Sequence, residues 1–280
     1  MVDYGIILNS FSNIESIENT IKNLTICGFS KIEVPGDPKK FLSKKNLETF
    51  NSYNMSVIGV NGIWTNSNTV SPRVLLTNDH NFLTSSKNYI KDCIKMCNFF
   101  GGYFFNICIL SDYNSLTDKN HESLSNTEKK KKLKKLIPLL SELTLFSQDY
   151  GITLLLEPLT RYSTPYLTEA RDAIFLASIV GNDDYLSIVL DTYHMNIEEE
   201  SFEDAIVLSK NYLKHMHFAD NNRKMPGYGH IDFGNIISCL SKINYNNCIS
   251  FEPIIMNKNY YFQINRGFNY IKKIVNPYIS

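Results

Sequence analysis

Six residues at or just beyond the ends of apolar runs carry most of the chemistry this sequence can do. Glu157 closes ITLLLE, Asp191 closes YLSIVLD, His215 and His217 alternate in LKHMHFAD, Glu252 closes CISFE, and His194 follows Asp191 by three residues. An acid that ends a strongly apolar segment is costly to bury without a partner, and several such groups converging on one point can share a cation instead. Carboxylates with an imidazole suit a divalent ion such as Mn, Co or Mg; Zn is less favoured because no thiolate belongs to the set. Taken singly, each has an ordinary reading: a satisfied core histidine, a helix cap, a salt bridge on a rim. Their recurrence at equivalent places carries the inference, and that equivalence depends on the elements holding them.

Those elements alternate. Eight short apolar runs read as strands: YGIIL (4–8), KIEV (31–34), MSVIGV (55–60), YFFNICIL (103–110), ITLLLE (152–157), YLSIVLD (185–191), LKHMHFAD (213–220) and CISFE (248–252). Helical patterns lie between them, with start signals at Ser12–Glu15 and Ser125–Glu128, where the spacing of a hydroxyl and a carboxylate makes a capping box. Gly28, Gly151 and Gly181 stand where such helices should stop. Strands that are apolar on both faces and alternate with helices imply a parallel sheet covered on both sides. Eight such units in 280 residues predict a single (β/α)8 TIM barrel domain spanning 1–280. An open doubly wound sheet is the rival, but LNSFSN follows the first strand instead of a glycine-rich phosphate turn. In a barrel, every strand's C-terminal end opens on one mouth, and the long segments 61–81 and 109–124 become loops over it.

Lys plus Arg balance Asp plus Glu at 28 each, so no global field favours nucleic acid or an anionic membrane, and no segment approaches the ~20 apolar residues of a membrane span. The six cysteines form no CxxC pair and read as reduced and mostly buried. MVDYGIILNS has no basic segment before its apolar run, so it reads as a first strand rather than a signal peptide, and a cytoplasmic protein is expected. The run KKKKLKK, Lys129–Lys135, reads as a solvated helix face because it follows a capping box and leads into LIPLLSEL, where Pro138 either kinks the helix or marks its start. The acidic stretch Glu198–Glu200 reads as the solvated approach to a helix capped by Ser201.

Strand alternation puts His215 and His217 on one face, with His217 nearer the mouth and His215 one layer deeper. His194 lies beyond the strand end and reaches into the mouth. Arg223, in ADNNRKMPGYGHIDF, reads either as a group that holds hydroxyl or phosphate oxygens or as a surface arginine. Trp64, the only tryptophan, reads either as a stacking wall for a ring or as packing at the core or rim.

LEPLTRY (156–162), LDTYHMNIEE (190–199), HMHFADNNRKMPGYGHIDF (215–233) and FEP (251–253) together resemble the sugar isomerase/epimerase superfamily with its xylose-isomerase-like barrel, nearest to the D-tagatose and D-psicose (allulose) 3-epimerase group. The resemblance is specific in order and spacing over 150–255 and compatible in pattern over 1–150. It implies a divalent metal, Mn2+ first and Co2+ or Mg2+ next, held by Glu157, Asp191, His217 and Glu252, with His194 and Arg223 gripping sugar oxygens. It also implies that Glu157 and Glu252 are the catalytic pair, one removing the proton beside a carbonyl and the other returning a proton to the opposite face of a cis-enediolate. Relatives of this kind are often dimers or tetramers, which implies a homo-oligomer. One position departs from the pattern: Ser163 stands where ketose epimerases carry a substrate-binding glutamate, which bears on the substrate more than on the metal.

The leading expectation is therefore a metal-dependent sugar epimerase or isomerase, most simply a ketose 3-epimerase. A lyase or deglycosidase acting on a keto-polyol or 3-keto-glycoside would begin with the same proton abstraction and is the alternative. An endonuclease of the same superfamily would need more metal histidines than the six in the chain and a basic groove. A non-catalytic binder is disfavoured by the intact set of four candidate ligands.

Overall fold

A computed structural model of the chain describes residues 2–11, 15–64, 73–111, 124–255 and 260–275. Its eight strands are β1 (Tyr4–Ile7), β2 (Lys31–Pro35), β3 (Ser56–Asn61), β4 (Phe104–Cys108), β5 (Thr153–Glu157), β6 (Leu186–Asp191), β7 (Leu213–Phe218) and β8 (Ile249–Phe251). Each pairs in parallel with the next, and β8 pairs with β1, closing a barrel in chain order. All eight coincide with the predicted apolar runs to within two or three residues at either end. The helices are α1 (Ile17–Ile26), α2 (Pro38–Phe41), α3 (Lys44–Ser52), α4 (His80–Phe99), α5 (Asn126–Leu133), α6 (Ile137–Gln148), α7 (Ala170–Val180), α8 (Thr192–Glu198), α9 (Phe202–Leu208), α10 (Phe233–Lys242) and α11 (Tyr260–Val275). None among the described residues is long and apolar enough to cross a membrane.

The helices turn one apolar stripe to the barrel. Ile264, Phe268, Ile271 and Val275 of α11 are buried at three- and four-residue spacing, as are Phe233, Ile236, Ile237 and Leu240 of α10. These side chains build one core between sheet and helices. Ile58, Phe104, Leu155, Val189 and Cys248 form a second, smaller cluster. Phe104, Leu155 and Val189 sit two or more residues short of their strand ends, so period-two alternation turns the same face inward at Cys108, Glu157 and Asp191.

Several local expectations change. The described part of the first helix starts at Ile17 with Ser16 accepting from the Asn19 N–H, one residue past the predicted Ser12–Glu15 box, of which residues 12–14 lie outside the described residues. The Ser125–Glu128 box is present, with each side chain bonded to the other residue's backbone. Pro138 lies in the first turn of α6, which follows a short 3-10 turn, so it marks the helix start. Gly28 and Gly181 follow their helices with φ of +92° and +73°, a conformation that strains residues bearing a Cβ.

Lys129 is not solvated: it is 6% exposed, donates to Thr168 at 2.8 Å and pairs with Asp172 at 3.2 Å, tying α5 to the start of α7. Two acids of the Glu198–Glu200 stretch are likewise engaged. Glu198 accepts from the Arg161 backbone at 2.7 Å and pairs with its guanidinium, and Glu199 accepts from the Ala170 N–H at 2.6 Å. Glu200, which is exposed, and the Ser201 cap behave as the sequence led us to expect. All six cysteines are free and buried. Parts of both predicted mouth loops, residues 65–72 and 112–123, lie outside the described residues.

Candidate active site

Strand register builds the site. β4 and β5 align Cys108 with Glu157, β6 and β7 align Asp191 with His217, and β7 and β8 align His217 with Ser250, two residues before Glu252. Neighbouring parallel strands thus deliver acid, acid, imidazole and acid to one level of the mouth. Glu157, Asp191, His217 and Glu252 each bring a ligand-type atom within 4.8 Å of the other three. His217 Nδ1 lies 3.3 Å from Glu157 Oε1 and 3.2 Å from Glu252 Oε2, so one ring nitrogen faces two carboxylates.

The electrostatics follow from that crowding. Burial pushes Asp191 above the usual carboxylate range although Arg223 opposes it, and the neighbouring Glu252 adds to the rise. Burial would also raise Glu252, but Arg223 and His217 outweigh it and hold the group down at about 2. Glu157 is lowered against its own burial by the His217 ring. For His217 burial disfavours charge, yet the surrounding carboxylates overcome it and raise its pKa well above the ordinary value. Three carboxylates at one imidazole thus make a strong demand for positive charge.

The set fits a divalent cation. Its donors are hard oxygens and one imidazole nitrogen, they converge from four directions, and buried Glu252 Oε2 has no aligned hydrogen-bond donor among the described residues. The other side of the ring fits as well, since His217 Nε2 lies 3.4 Å from Glu33 Oε1. Glu33 is fully buried, and the same oxygen is 2.8 Å from His215 Nε2, which also meets the Ser250 hydroxyl at 3.1 Å. A carboxylate near Nε2, although not aligned as a hydrogen-bond acceptor, favours by its charge the tautomer that leaves Nδ1 free to ligate. Burial alone would raise Glu33, but the two imidazoles hold it far below the ordinary carboxylate range. His215 sits one layer deeper than His217, as its spacing requires, with Phe104 packed on its ring at 4.4 Å.

The remaining candidates fall around this cluster. Arg223 pairs through one nitrogen with Asp191 and through the other with Glu252 at 2.8 Å, and lies over the Tyr193 ring at 4.9 Å. Its backbone is left-handed, φ +58°, and is pinned because its N–H donates to Asp220 and its carbonyl accepts from Ile254. Asp220, fully buried, accepts from the backbone N–H groups of Asn221, Gly227, Gly229 and Ile231 and so shapes the loop that presents Arg223.

His194 Nδ1 accepts from the Thr160 N–H at 3.2 Å, so its neutral ring carries the proton on Nε2 as a donor. Asp191 caps the helix that carries His194, accepting from the Tyr193 N–H at 2.7 Å, and Thr192 ties that helix start to Ala219 beyond β7. Ser163 occupies the turn Thr160–Thr164, its N–H donating to the Thr160 carbonyl, and its side chain makes no hydrogen bond to the four clustered groups. Trp64 is packed, stacked on Phe105 at 6.2 Å and edge-on to Tyr89 at 5.6 Å.

Three residues escaped sequence reasoning that looked only at strand ends: Glu33, Asn106 and Cys108. Asn106 donates to Glu157 Oε2 at 2.6 Å and accepts from the Gly62 N–H, and the Cys108 thiol donates to the same oxygen at 3.4 Å. Burial, reinforced by Glu157, keeps that thiol protonated. The signal was present: a lone acid in KIEV and a lone amide in FFNIC interrupt otherwise apolar strands.

Residues 14–274 match the family described as Xylose isomerase-like TIM barrel. Among curated proteins, the D-psicose 3-epimerase of Agrobacterium fabrum is 37% identical over 110 residues, which is 39% of this chain and 38% of that protein. The 3-dehydro-D-guloside 4-epimerase of Escherichia coli is 38% identical over 103 residues, 36% of this chain and 38% of that protein. The alignments thus span less than two-fifths of either relative's length. Among solved structures, D-psicose 3-epimerase with D-tagatose from Clostridium cellulolyticum superposes with a TM-score of 0.81 at 19% identity, covering 98% of this chain and 99% of that one. An L-ribulose 3-epimerase gives 0.82 at 20% identity, covering 99% and 95%. At these identities the superpositions speak for the barrel.

Proposed function

The chain belongs to the xylose isomerase-like TIM barrel family, and from that premise we propose that it is a divalent-metal-dependent ketose 3-epimerase. One observation carries the reading: carboxylates from the ends of β5 and β8 both approach the same His217 nitrogen, at 3.3 and 3.2 Å, inside a four-group cluster fit for a cation. The partial likeness to sugar 3- and 4-epimerases supports the same class of reaction.

Glu157, Asp191, His217 and Glu252 would hold the cation, Mn2+ by preference, and a cation bound there would supply Lewis acidity toward substrate oxygens. Glu157 and Glu252, arriving from two strands, flank the carbon to be inverted. One carboxylate takes the proton from the carbon beside the carbonyl, leaving a cis-enediolate, and the other returns a proton to the opposite face, so configuration changes and composition does not. Positioned acid and base groups of this kind contribute roughly 10²- to 10⁴-fold each. His194 offers its Nε2–H and Arg223 its guanidinium to substrate oxygens, while Ser163 replaces a carboxylate acceptor with a shorter hydroxyl.

The test is incubation of the Mn-loaded protein in heavy water with a panel of ketohexoses, ketopentoses and 3-keto-glycosides. The expected result is an epimer carrying deuterium at the inverted carbon. Glu157→Gln and Glu252→Gln should each abolish turnover while leaving the far-ultraviolet circular dichroism unchanged. Release of water or an aglycone would instead place the protein with lyases or deglycosidases, and absence of exchange with every sugar would overturn the reading.

A further inference from the structure

Glu157 has two carboxylate oxygens, and the fold treats them differently. Oε1 faces His217 Nδ1 and the clustered ligand atoms. Oε2 receives the Asn106 amide at 2.6 Å and the Cys108 thiol at 3.4 Å. The amide cannot turn over: Gly62 presents an N–H, which only Asn106 Oδ1 can accept, and Glu157 presents an acceptor, which only Asn106 Nδ2 can serve. Gly62 makes this approach feasible, because a Cβ there would lie 2.8 Å from the Asn106 backbone carbonyl oxygen and 2.2 Å from the Trp64 indole nitrogen. Asn106 is 1% exposed and Cys108 4%, so water does not compete for the oxygen they hold.

We propose that Asn106, assisted by Cys108, is a positioning residue that assigns the two oxygens of Glu157 to separate tasks, Oε1 to the cation and Oε2 to proton transfer. Without these donors the carboxylate is free to rotate and offer both oxygens to the cation, which removes the base while keeping the ligand. Loss of Asn106 therefore slows the chemical step and spares cation binding. A side chain that merely fills space in the strand would lower both together or neither.

This inference rests on the epimerase reading, so its test has one arm that needs no substrate. Asn106→Ala, Cys108→Ala and Cys108→Ser are loaded with Mn2+ and compared with the unaltered protein by electron paramagnetic resonance, by Mn2+ titration and by kinetics on the ketose that the unaltered protein epimerises. For Asn106→Ala, kcat should fall about 10- to 100-fold, the range typical of supporting groups around a metal site. Its KM and Mn2+ affinity should hold, and its zero-field splitting should change as the carboxylate becomes bidentate. Deuterium at the inverted carbon should slow the variant more than the parent. Cys108→Ala should show the same pattern more weakly, with Cys108→Ser recovering most of the loss, so the proposal stays testable if Asn106→Ala does not fold. Unchanged kcat in both alanine variants, or Mn2+ affinity falling in step with kcat, would overturn it. If the unaltered protein turns over no ketose, the functional reading fails and the resonance spectra alone decide, an unchanged splitting counting against the proposal.

Discussion

Glu33 shows what a single residue can do behind a site. Its Oε1 lies within reach of both histidines of β7, so replacing it with glutamine weakens the acceptor behind His217 and leaves one more polar group for the buried pocket to satisfy. Glu33→Gln should weaken Mn2+ binding about 10- to 100-fold, measured by isothermal titration, with a smaller effect on KM for the sugar; an unchanged affinity would mean that β7 packing alone orients the ring. The four clustered groups were legible in the sequence because each ends or nearly ends an apolar run, where a charge needs a reason. Glu33 and Asn106 were legible only as lone polar residues inside such runs; their roles were not, because the partners lie 184 and 51 positions away, a pairing that only the closed sheet creates.

At the scale of elements, the loop after β7 and the junction after α8 carry separable consequences. Asp220 accepts four backbone N–H groups, so Asp220→Ala would orphan them and cost on the order of 3 kcal/mol. Because that loop presents Arg223, KM for the sugar should rise by more than kcat falls; the reverse would place Arg223 in the chemical step. Glu199 joins the end of α8 to α7, and burial raises it to about 7 although the Ala170 N–H opposes the shift. A carboxyl raised in the folded state contributes stability that is fully present below its unfolded value near 4.5 and is lost as pH rises through about 7. Glu199→Gln keeps the acceptor and drops the charge, so its melting temperature should exceed the parent's by about 4 °C at pH 8. The difference should vanish near pH 4.5, as thermal scans across that window would show. The strands were legible as elements and the acidic stretch was misread for the complementary reason: on a helix connection charge looks solvated, and nothing local announces that α7 will come to meet it.

For the whole molecule, the closed ring of parallel strands holds its shape through apolar packing on both faces, independently of the cluster at its mouth. A chelator should therefore end turnover and leave secondary structure intact. Adding Mn2+ at about 100 times its dissociation constant should raise stability by about 2.7 kcal/mol. Collapse of the far-ultraviolet spectrum on chelation would contradict that independence. The triangle of Gly62, Trp64 and Asn106 has a consequence for how such a barrel changes over time. A side chain at 62 collides with the Trp64 indole and with the backbone carbonyl of Asn106, and the second obstacle stays whatever residue stands at 106. A mutational scan should therefore score Gly62 as intolerant even in libraries that vary positions 64 and 106 with it, because only a shift of the β4 backbone could make room.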